Sequence, residues 1–344
     1  MSHTPADSAP TAGAGTRRRT PRLRTVGVAA ALAALLLGAS ACGSSDSGAA
    51  GDKGGSTLRV GFISNTATPA GPEGWAEKTG TLEPGLTDAG ISAVKFVPFK
   101  NGPDLSAAIA GGSIDLANLG DTPALSAKAS GIPTRLINQG SVGTDAWLFA
   151  AKGGPTTLAD LKGKTVATQV GSYMYRYLVA LLEENGLSDS VKVTHVYTTD
   201  ALASLQSGGI AAYAAPAGQL TAALEKQGFS VIDKASQHPD LLGSSLTVIT
   251  EKALAAHPDL PAAWNKVRAA AVADMTAKSD EYYAFAATAT GTDAAVIKAT
   301  QPVSLYPSEA FTEKGLALLK GTNEFLISHQ LEKDPVDLDA WKVN

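Results

Sequence analysis

Cysteine is almost absent from this sequence, and the signatures of several common enzyme classes are missing with it. Cys42 is the only cysteine among 344 residues, so no disulfide can form within the chain. The five histidines are scattered, with no pair at the spacing of zinc ligands. Neither a G-x-S-x-G elbow nor a G-x-x-x-x-G-K phosphate loop occurs. These absences predict a protein that is not an enzyme and that has no catalytic residue, no metal and no cofactor.

Long apolar runs are also missing. The candidate at residues 26–37 has 12 residues, whereas a helix that spans a bilayer needs about 20. A segment with five arginines precedes this run, and the small residues 38–41 follow it. This order predicts a secretory signal peptide over residues 1–41, exported by either the general or the twin-arginine route.

Cys42 directly follows the predicted signal. The run Ala39-Ser40-Ala41-Cys42 resembles a bacterial lipobox, although the usual first residue there is leucine. The resemblance implies that Cys42 carries palmitate and anchors an extracytoplasmic protein to the bacterial cell membrane. A plain signal peptide followed by an incidental cysteine is the alternative. Residues 42–56 are rich in glycine and serine, which predicts a flexible linker behind the lipid anchor.

Basic residues are in the minority, with 28 Lys and Arg against 32 Asp and Glu. Residues 1–41 hold five of the arginines and one aspartate, so the remainder has 23 basic and 31 acidic residues, a formal net charge of −8. A body this acidic is not expected to bind nucleic acid. The sign of a small ligand stays open, because a cleft can be locally positive on an acidic protein.

The body from residue 57 onward is long enough for two domains of ordinary size. Short apolar runs such as residues 58–63, 114–119 and 164–168 predict strands, and helical patterns of 8–15 residues lie between them. This alternation predicts an α/β architecture with largely parallel sheets. In such sheets ligands bind beyond the carboxyl ends of the strands, in the loops that begin helices.

Two long runs in the body form distinct motifs, G-S-I-D-L-A-N-L-G-D-T-P at residues 112–123 and T-L-A-D-L-K-G-K-T-V-A at residues 157–167. Both resemble motifs of aliphatic sulfonate-binding proteins, the substrate-binding lipoproteins of ABC transporters in the sulfonate, nitrate and taurine group. Gln169-Val170-Gly171-Ser172 is similar to their Gly-Ser helix start, and residues 331–338 are similar to their closing segment. The resemblance covers nearly the whole body.

The resemblance implies a periplasmic-binding-protein-like (type II) fold, in which two α/β lobes are joined by two crossover segments with a ligand cleft between them. Lobe I would comprise residues 57–148 and 246–344, and lobe II residues 149–245. The implied function is the extracytoplasmic solute-binding component of an ABC importer, a monomer that delivers a small anionic solute to a membrane permease.

The second lobe departs from its relatives in residues 210–219, which lack an acid and a second aromatic residue found there. From the resemblance as a whole, an aliphatic sulfonate remains the first choice of ligand, and taurine, nitrate or a thiamine or pyrimidine precursor is the alternative. A sensory receptor and a pyrimidine-precursor enzyme are the less favoured functions.

The helix start at Gly171-Ser172 is the main candidate for an anion site. Glycine lets a ligand approach the backbone, the first helical amides lack internal partners, and a hydroxyl adds a donor. An ordinary N-cap is the alternative. Arg176 would either pair with a bound anion or lie at the solvated surface, and Trp75 would be exposed or half-packed. The other candidate ligand-binding residues are Ser64, Asn65, Thr66, Gly120, Asp121, Thr122, Ser141, Tyr173, Tyr213 and Ser244.

Overall fold

The computed structural model of the protein describes residues 56–343. The predicted signal peptide, the predicted lipidation site Cys42 and the predicted linker up to residue 55 lie outside the described residues. Ser56, which the sequence analysis assigned to the linker, is the first residue of the first strand.

The described part of the chain alternates strands and helices. Its strands are β1 (Ser56–Ile63), β2 (Ile91–Phe99), β3 (Leu116–Gly120), β4 (Thr134–Thr144), β5 (Ala146–Ala150), β6 (Thr165–Thr168), β7 (Lys192–His195), β8 (Ala212–Pro216), β9 (Val231–Lys234) and β10 (Gly243–Thr250). Its α-helices are α1 (Gly71–Lys78), α2 (Leu82–Leu86), α3 (Gly102–Ala110), α4 (Asp121–Ala129), α5 (Tyr173–Glu184), α6 (Ala201–Gln206), α7 (Gln219–Lys226), α8 (Glu251–Ala256), α9 (Leu260–Ala277), α10 (Ser279–Thr290), α11 (Ala294–Thr300), α12 (Glu313–Ser328) and α13 (Leu338–Trp341). Short 3₁₀ helices cover Thr87–Ala89, Ala159–Leu161, Ala235–Gln237, Pro239–Leu241 and Val303–Leu305.

The strands form two five-stranded sheets, ordered β2-β1-β3-β10-β4 and β7-β6-β8-β5-β9. In the first sheet β1 pairs in parallel with β2 and β3, and β10 is antiparallel to both β3 and β4. In the second sheet β6 pairs in parallel with β7 and β8, and β5 is antiparallel to both β8 and β9. Each sheet thus holds one strand that runs against the others, β10 in the first sheet and β5 in the second. Each of these strands directly follows a segment in which the chain crosses from one sheet to the other. The α/β fold class predicted from the sequence is confirmed.

The chain leaves the first sheet at the end of β4 and enters the second with β5, across the single residue Asp145. It returns between β9 and β10. The boundaries expected at 148/149 and 245/246 therefore fall inside β5 and β10, each of which belongs wholly to one sheet. An apolar strand pattern shows that a strand forms but not which sheet it joins, so the exact division into lobes stays a prediction.

Apolar side chains cover both faces of each sheet. Alternating residues of β3 show the pattern: Leu116 packs in the cluster that contains α1, α9 and α10, and Ala117 packs in the cluster with α3, α4 and α12. Two further clusters enclose the second sheet. Among residues 56–343, no helix combines the length and the hydropathy that crossing a bilayer would require.

Two large side chains lie deeper than the sequence analysis expected. Trp75 is 4% exposed, packs edge-on against Tyr282 and donates from Nε1 to Asp274 Oδ2 at 2.8 Å. The prediction of an exposed or half-packed Trp75 was wrong, because α9 and α10 cover the helix that carries it. Arg176 is 2% exposed and donates to the carbonyl oxygens of Asp240 and Leu242, so a solvated position for it was wrong as well.

The G-S-I-D part of the first motif has a structural role. Asp115 accepts hydrogen bonds from the backbone amide, Nε and Nη2 of Arg59 at 2.9, 2.8 and 2.6 Å. Burial acts to raise the pKa of Asp115, but the hydrogen bonds and charge of Arg59 outweigh it and leave that pKa below its usual value. This pair fastens the residue before β3 to the neighbouring strand β1.

Candidate functional site

A cavity of about 470 Å³ lies between the two sheets, at the ends of their strands. Its walls come from both parts of the chain. The first sheet and its helices contribute Ser64, Asn65, Ala70, Gly71, Glu73, Lys100, Gly102, Asn118, Gly120, Gly140, Ser141, Thr144, Ser244 and Ser245, among others. The second sheet contributes Gln169, Gly171, Ser172, Tyr173, Met174, Thr198 and Pro216. Apolar side chains such as Phe62, Ile63 and Phe96 complete the lining.

The start of α5 reaches the cavity through Gly171, Ser172 and Tyr173. Gly171 has φ +81°, a conformation that favours glycine, and Ser172 is the N-cap of the helix. Ser172 Oγ donates to the Gln169 carbonyl at 2.6 Å and accepts from the Tyr175 amide at 3.4 Å. Because that hydroxyl is used within its own loop, the groups left for a ligand are the first backbone amides, which have no partner inside the helix. The helix dipole adds partial positive charge at the same point.

The helix α4 also begins at the cavity, but its polar groups are arranged differently from those of α5. Asp121 is 0% exposed and does not line the cavity. Its Oδ1 accepts from the amide and hydroxyl of Thr122 at 2.6 and 3.0 Å, and its Oδ2 accepts from the amide and hydroxyl of Ser244 at 3.0 and 2.9 Å. The carboxylate therefore joins α4 to β10 and is closed to a ligand, while Gly120 and Ser244 remain in the cavity wall.

Two further helices begin at the cavity. The N-cap Ala70 and the first residue Gly71 of α1 lie in its wall, and so does Gly102 of α3. Ala70 has no side chain able to cap α1. With α4 and α5, four helices thus begin at one space, and the positive ends of their dipoles meet there, which is an arrangement that suits an anion.

Hydroxyl and amide side chains from the first sheet form a polar strip on the wall. Ser141 Oγ lies 2.9 Å from Ser245 Oγ and 3.4 Å from Thr144 Oγ1. Asn118, in the middle of β3, lies beside them, since a Cβ on Gly140 would be 2.6 Å from both Asn118 Nδ2 and Ser245 Oγ. The close approach requires glycine at residue 140.

Tyr173 contacts both segments in which the chain crosses between the sheets. Its hydroxyl donates to the Asp145 carbonyl at 3.2 Å. A Cβ on Gly243 would lie 2.3 Å from the Tyr173 ring, so any side chain at 243 would displace the ring. Burial raises the pKa of Tyr173, which keeps its hydroxyl neutral.

The structure brings eight of the twelve predicted ligand-binding residues into one cavity wall: Ser64, Asn65, Gly120, Ser141, Gly171, Ser172, Tyr173 and Ser244. Four lie elsewhere. Asp121 and Thr122 are buried, and Thr66 bonds to Ser64 through its amide and hydroxyl. Tyr213 is 0% exposed and donates to the Val196 carbonyl, with burial raising its pKa to about 12. Whether the eight bind a ligand stays a prediction.

Several wall residues were missed by the sequence analysis. Gln169 could have been found, because it directly follows the end of β6, whereas Asn118 lies in the middle of β3. Glu73, Gln301 and Tyr306 gave no such signal, since they come from α1 and from the segment after α11. Only tertiary packing brings these three to the cavity.

Two side chains with full charges line the cavity, Glu73 and Lys100. Lys100 is exposed, whereas Glu73 is 8% exposed and lies 3.4 Å from Arg268 Nε through its Oε1. Arg268 is 3% exposed, donates to the carbonyls of Pro307 and Gly140, and has a pKa lowered by burial. In residues 56–343, no three His, Cys, Asp or Glu side chains come together as metal ligands would.

Solved structures of other proteins share the fold of this chain. A crystal structure of the periplasmic aliphatic sulphonate-binding protein SsuA from Escherichia coli matches with a TM-score of 0.68 and 24% identity, over 83% of this chain and 97% of that one. The desulfurization enzyme DszB matches with a TM-score of 0.65 and 17% identity, over 83% and 96% of the two chains. The two lobes and the cavity between them define a periplasmic-binding-protein-like fold.

The chain belongs to the NMT1/THI5-like family, whose model matches residues 86–282, more than half of the sequence. A relative from Escherichia coli (strain K12), assigned to aliphatic sulfonate binding, is 33% identical over 144 residues. That match covers 41% of this chain and 45% of the relative, so the chain spans less than half the length of the curated relative it matches.

Proposed function

We propose that this protein is the extracytoplasmic solute-binding component of an ABC importer, and that it binds a small anionic solute, with an aliphatic sulfonate as the first choice. The observation that carries the proposal is the meeting of four helix starts at one cavity between the lobes. Uncommitted amides of α5 lie on one wall, and the hydroxyls of Ser141 and Ser245 lie on the other. The assignments of the Escherichia coli relative and of SsuA support a sulfonate.

The chemistry of the cavity suits binding better than catalysis. Among residues 56–343, the lining of the cavity contains no Cys and no His. A hydrolytic or desulfurizing reaction would call for a nucleophile or a general base in contact with the ligand. The enzyme DszB has the same fold, so incubation of the protein with a sulfinate or sulfonate, followed by a sulfite assay, separates the two functions. Sulfite release above background would contradict a receptor role.

A thermal-shift screen tests the proposal directly. The protein is heated in a buffer free of sulfonates with alkanesulfonates, taurine, nitrate, sulfate and a pyrimidine precursor in parallel. A ligand present at 100 times its dissociation constant adds about 2.7 kcal/mol of stability. We expect the largest shift with an alkane- or aminoalkanesulfonate. A shift with a pyrimidine and none with any anion would contradict the anion site.

The membrane partners belong to the same proposal. Lipidation of Cys42 would hold the receptor near its permease, with the glycine- and serine-rich segment up to residue 55 as the tether. Palmitate labelling in a bacterial host should be lost in Cys42→Ser, and labelling that survives the substitution would contradict the anchor. Sedimentation of the soluble body should give a monomer.

A further inference from the structure

The cavity wall contains a carboxylate that an anion site does not need. Glu73 is the third residue of α1, lines the cavity and is 8% exposed. Its Oε1 is fully covered and faces Arg268 Nε, whereas its Oε2 is not fully covered and accepts no hydrogen bond within residues 56–343. The ion pair with Arg268 Nε, at 3.4 Å, is longer than a good N–H···O hydrogen bond. A buried carboxylate with unused acceptor capacity is costly, because each missing hydrogen bond forfeits the solvation that water would give.

The surrounding structure holds Glu73 in place without satisfying it. Arg268 is anchored by the carbonyls of Pro307 and Gly140, and it lies behind the wall instead of lining the cavity. An acid in the first turn of a helix is favourable for the helix dipole, which explains a negative charge at this position. It does not explain why the carboxylate forms part of a cavity wall and leaves an oxygen without a donor.

The start of α5 and the carboxylate of Glu73 require different groups on a ligand. The start of α5 offers N–H donors and accepts an anionic head. An ionised carboxylate is an acceptor only, so Glu73 requires a donor and repels a second anion. A ligand with an apolar tail would displace water from Glu73 without supplying a hydrogen bond in its place. A cavity of about 470 Å³ has room for a head, a spacer and a second polar group.

We propose, building on the proposed function, that the ligand carries a hydrogen-bond donor, an ammonium or hydroxyl group, at the end opposite its anionic head, and that Glu73 recognises this donor. Glu73 is then a specificity-determining residue, which selects among sulfonates that the helix starts bind alike. Sites built around a buried polar group discriminate strongly against analogues that lack its partner.

Isosteric ligand pairs test this selectivity in the intact protein. Calorimetric titration in a sulfonate-free buffer compares propane-1-sulfonate with 2-aminoethanesulfonate and 2-hydroxyethanesulfonate, and butane-1-sulfonate with 3-aminopropanesulfonate. We expect the donor-bearing members to bind at least about tenfold more tightly than the alkanes of the same size. The ammonium and hydroxyl arms identify which donor is preferred. An alkane that binds as tightly as its donor-bearing counterparts would overturn the proposal.

The ratio of affinities within one variant separates recognition from stability. Glu73→Gln should reduce the preference for ammonium over alkyl to about threefold or less, because the charge is lost. Glu73→Asp keeps the charge but withdraws it by one methylene, and it serves if the Gln variant does not fold. Glu77→Gln, on the exposed side of the same helix, is the matched control and should leave the ratio unchanged. A ratio unchanged in both Glu73 variants would contradict recognition by Glu73.

Failure of this inference is distinguishable from failure of the proposed function. If no sulfonate of either kind binds, the anion site itself is wrong. If all bind with equal affinity, the receptor role stands and only the selectivity of Glu73 is refuted.

Discussion

The helices α4 and α5 begin at the same cavity, but their polar groups serve different purposes. At α4 the Asp121 carboxylate accepts four hydrogen bonds from Thr122 and Ser244, which fastens the helix to a strand. At α5 the Ser172 hydroxyl is used within its own loop and at the Tyr175 amide, and the amides ahead of Tyr175 have no partner inside the helix. A polar residue at a helix start therefore serves the fold when a neighbouring strand supplies donors, and it leaves room for a ligand when no donor is near.

Removing the carboxylate at α4 should have the largest effect on stability. Asp121→Ala would leave the buried amides of Thr122 and Ser244 without acceptors, and we expect the free energy of unfolding to fall by about 3 kcal/mol. Chemical denaturation measures the loss. Asp104→Ala is the control, because Asp104 is an exposed aspartate in the first turn of α3 and should cost less than about 1 kcal/mol. Equal losses in the two variants would remove the contrast between a structural and an ordinary helix start.

A charge placed at α5 should affect binding more than folding. Ser172→Asp puts a carboxylate among the amides that would hold the anion, and we expect ligand affinity to fall by at least about tenfold. Ser172→Asn has nearly the same shape without the charge, and both residues cap helices well. Asn can still donate to the Gln169 carbonyl and should melt close to the parent, whereas Asp loses that hydrogen bond, so a melting curve confirms that each variant is folded before titration. An Asp variant that binds as tightly as the Asn variant would mean that the anion lies elsewhere.

Replacing the glycine that precedes Ser172 should have a smaller effect on ligand binding. Gly171→Ala forces a side chain into φ +81°, at a cost of about 1 kcal/mol of stability, and brings a methyl group beside the amides. Gly163→Ala is matched, since Gly163 has φ +74° and open space around it but is not part of the cavity wall. Melting curves should fall equally for the two variants, whereas titration should show weaker binding, by about threefold, for Gly171→Ala only.

The smallest effect concerns the Arg59–Asp115 pair, which lies away from the cavity. The pKa of Asp115 is lower in the folded chain than its unfolded value of about 3.9, so the pair stabilises fully above that pH. This stabilisation is lost as the pH falls through the folded pKa. Because Arg59 is 38% exposed, solvent screening limits the contribution to less than about 1 kcal/mol. Asp115→Asn should flatten the loss of stability below pH 4, and an unchanged slope would contradict the assignment.

The sequence allowed the fold class and much of the site to be predicted, because both follow from local rules. Alternating apolar runs identify strands, and the ends of strands locate Ser64, Gly120, Gly171 and Ser172. The same rules could not show which partners a polar side chain would have. Asp121 is adjacent to a wall residue and yet is closed to a ligand, because two of its four donors come from Ser244 in β10, 123 residues away.

Packing between distant segments explains what else was missed. Tyr213 lies on a strand whose side chains are covered on both faces, so its hydroxyl finds a backbone acceptor instead of the cavity. Glu73 was not a candidate, because nothing near it in sequence reveals that Arg268 and Tyr306 fold beside it. The residue at which the chain changes sheet, Asp145, could not be read from the sequence for a similar reason, since strand partners are chosen only in the folded chain.

Backbone NMR of the amides at the start of α5 tests the central claim most directly. On titration with an alkanesulfonate in a sulfonate-free buffer, the amide protons of Gly171, Ser172 and Tyr173 should show the largest downfield shifts, saturating with the calorimetric dissociation constant. Saturable binding that leaves these three resonances unmoved would contradict the account.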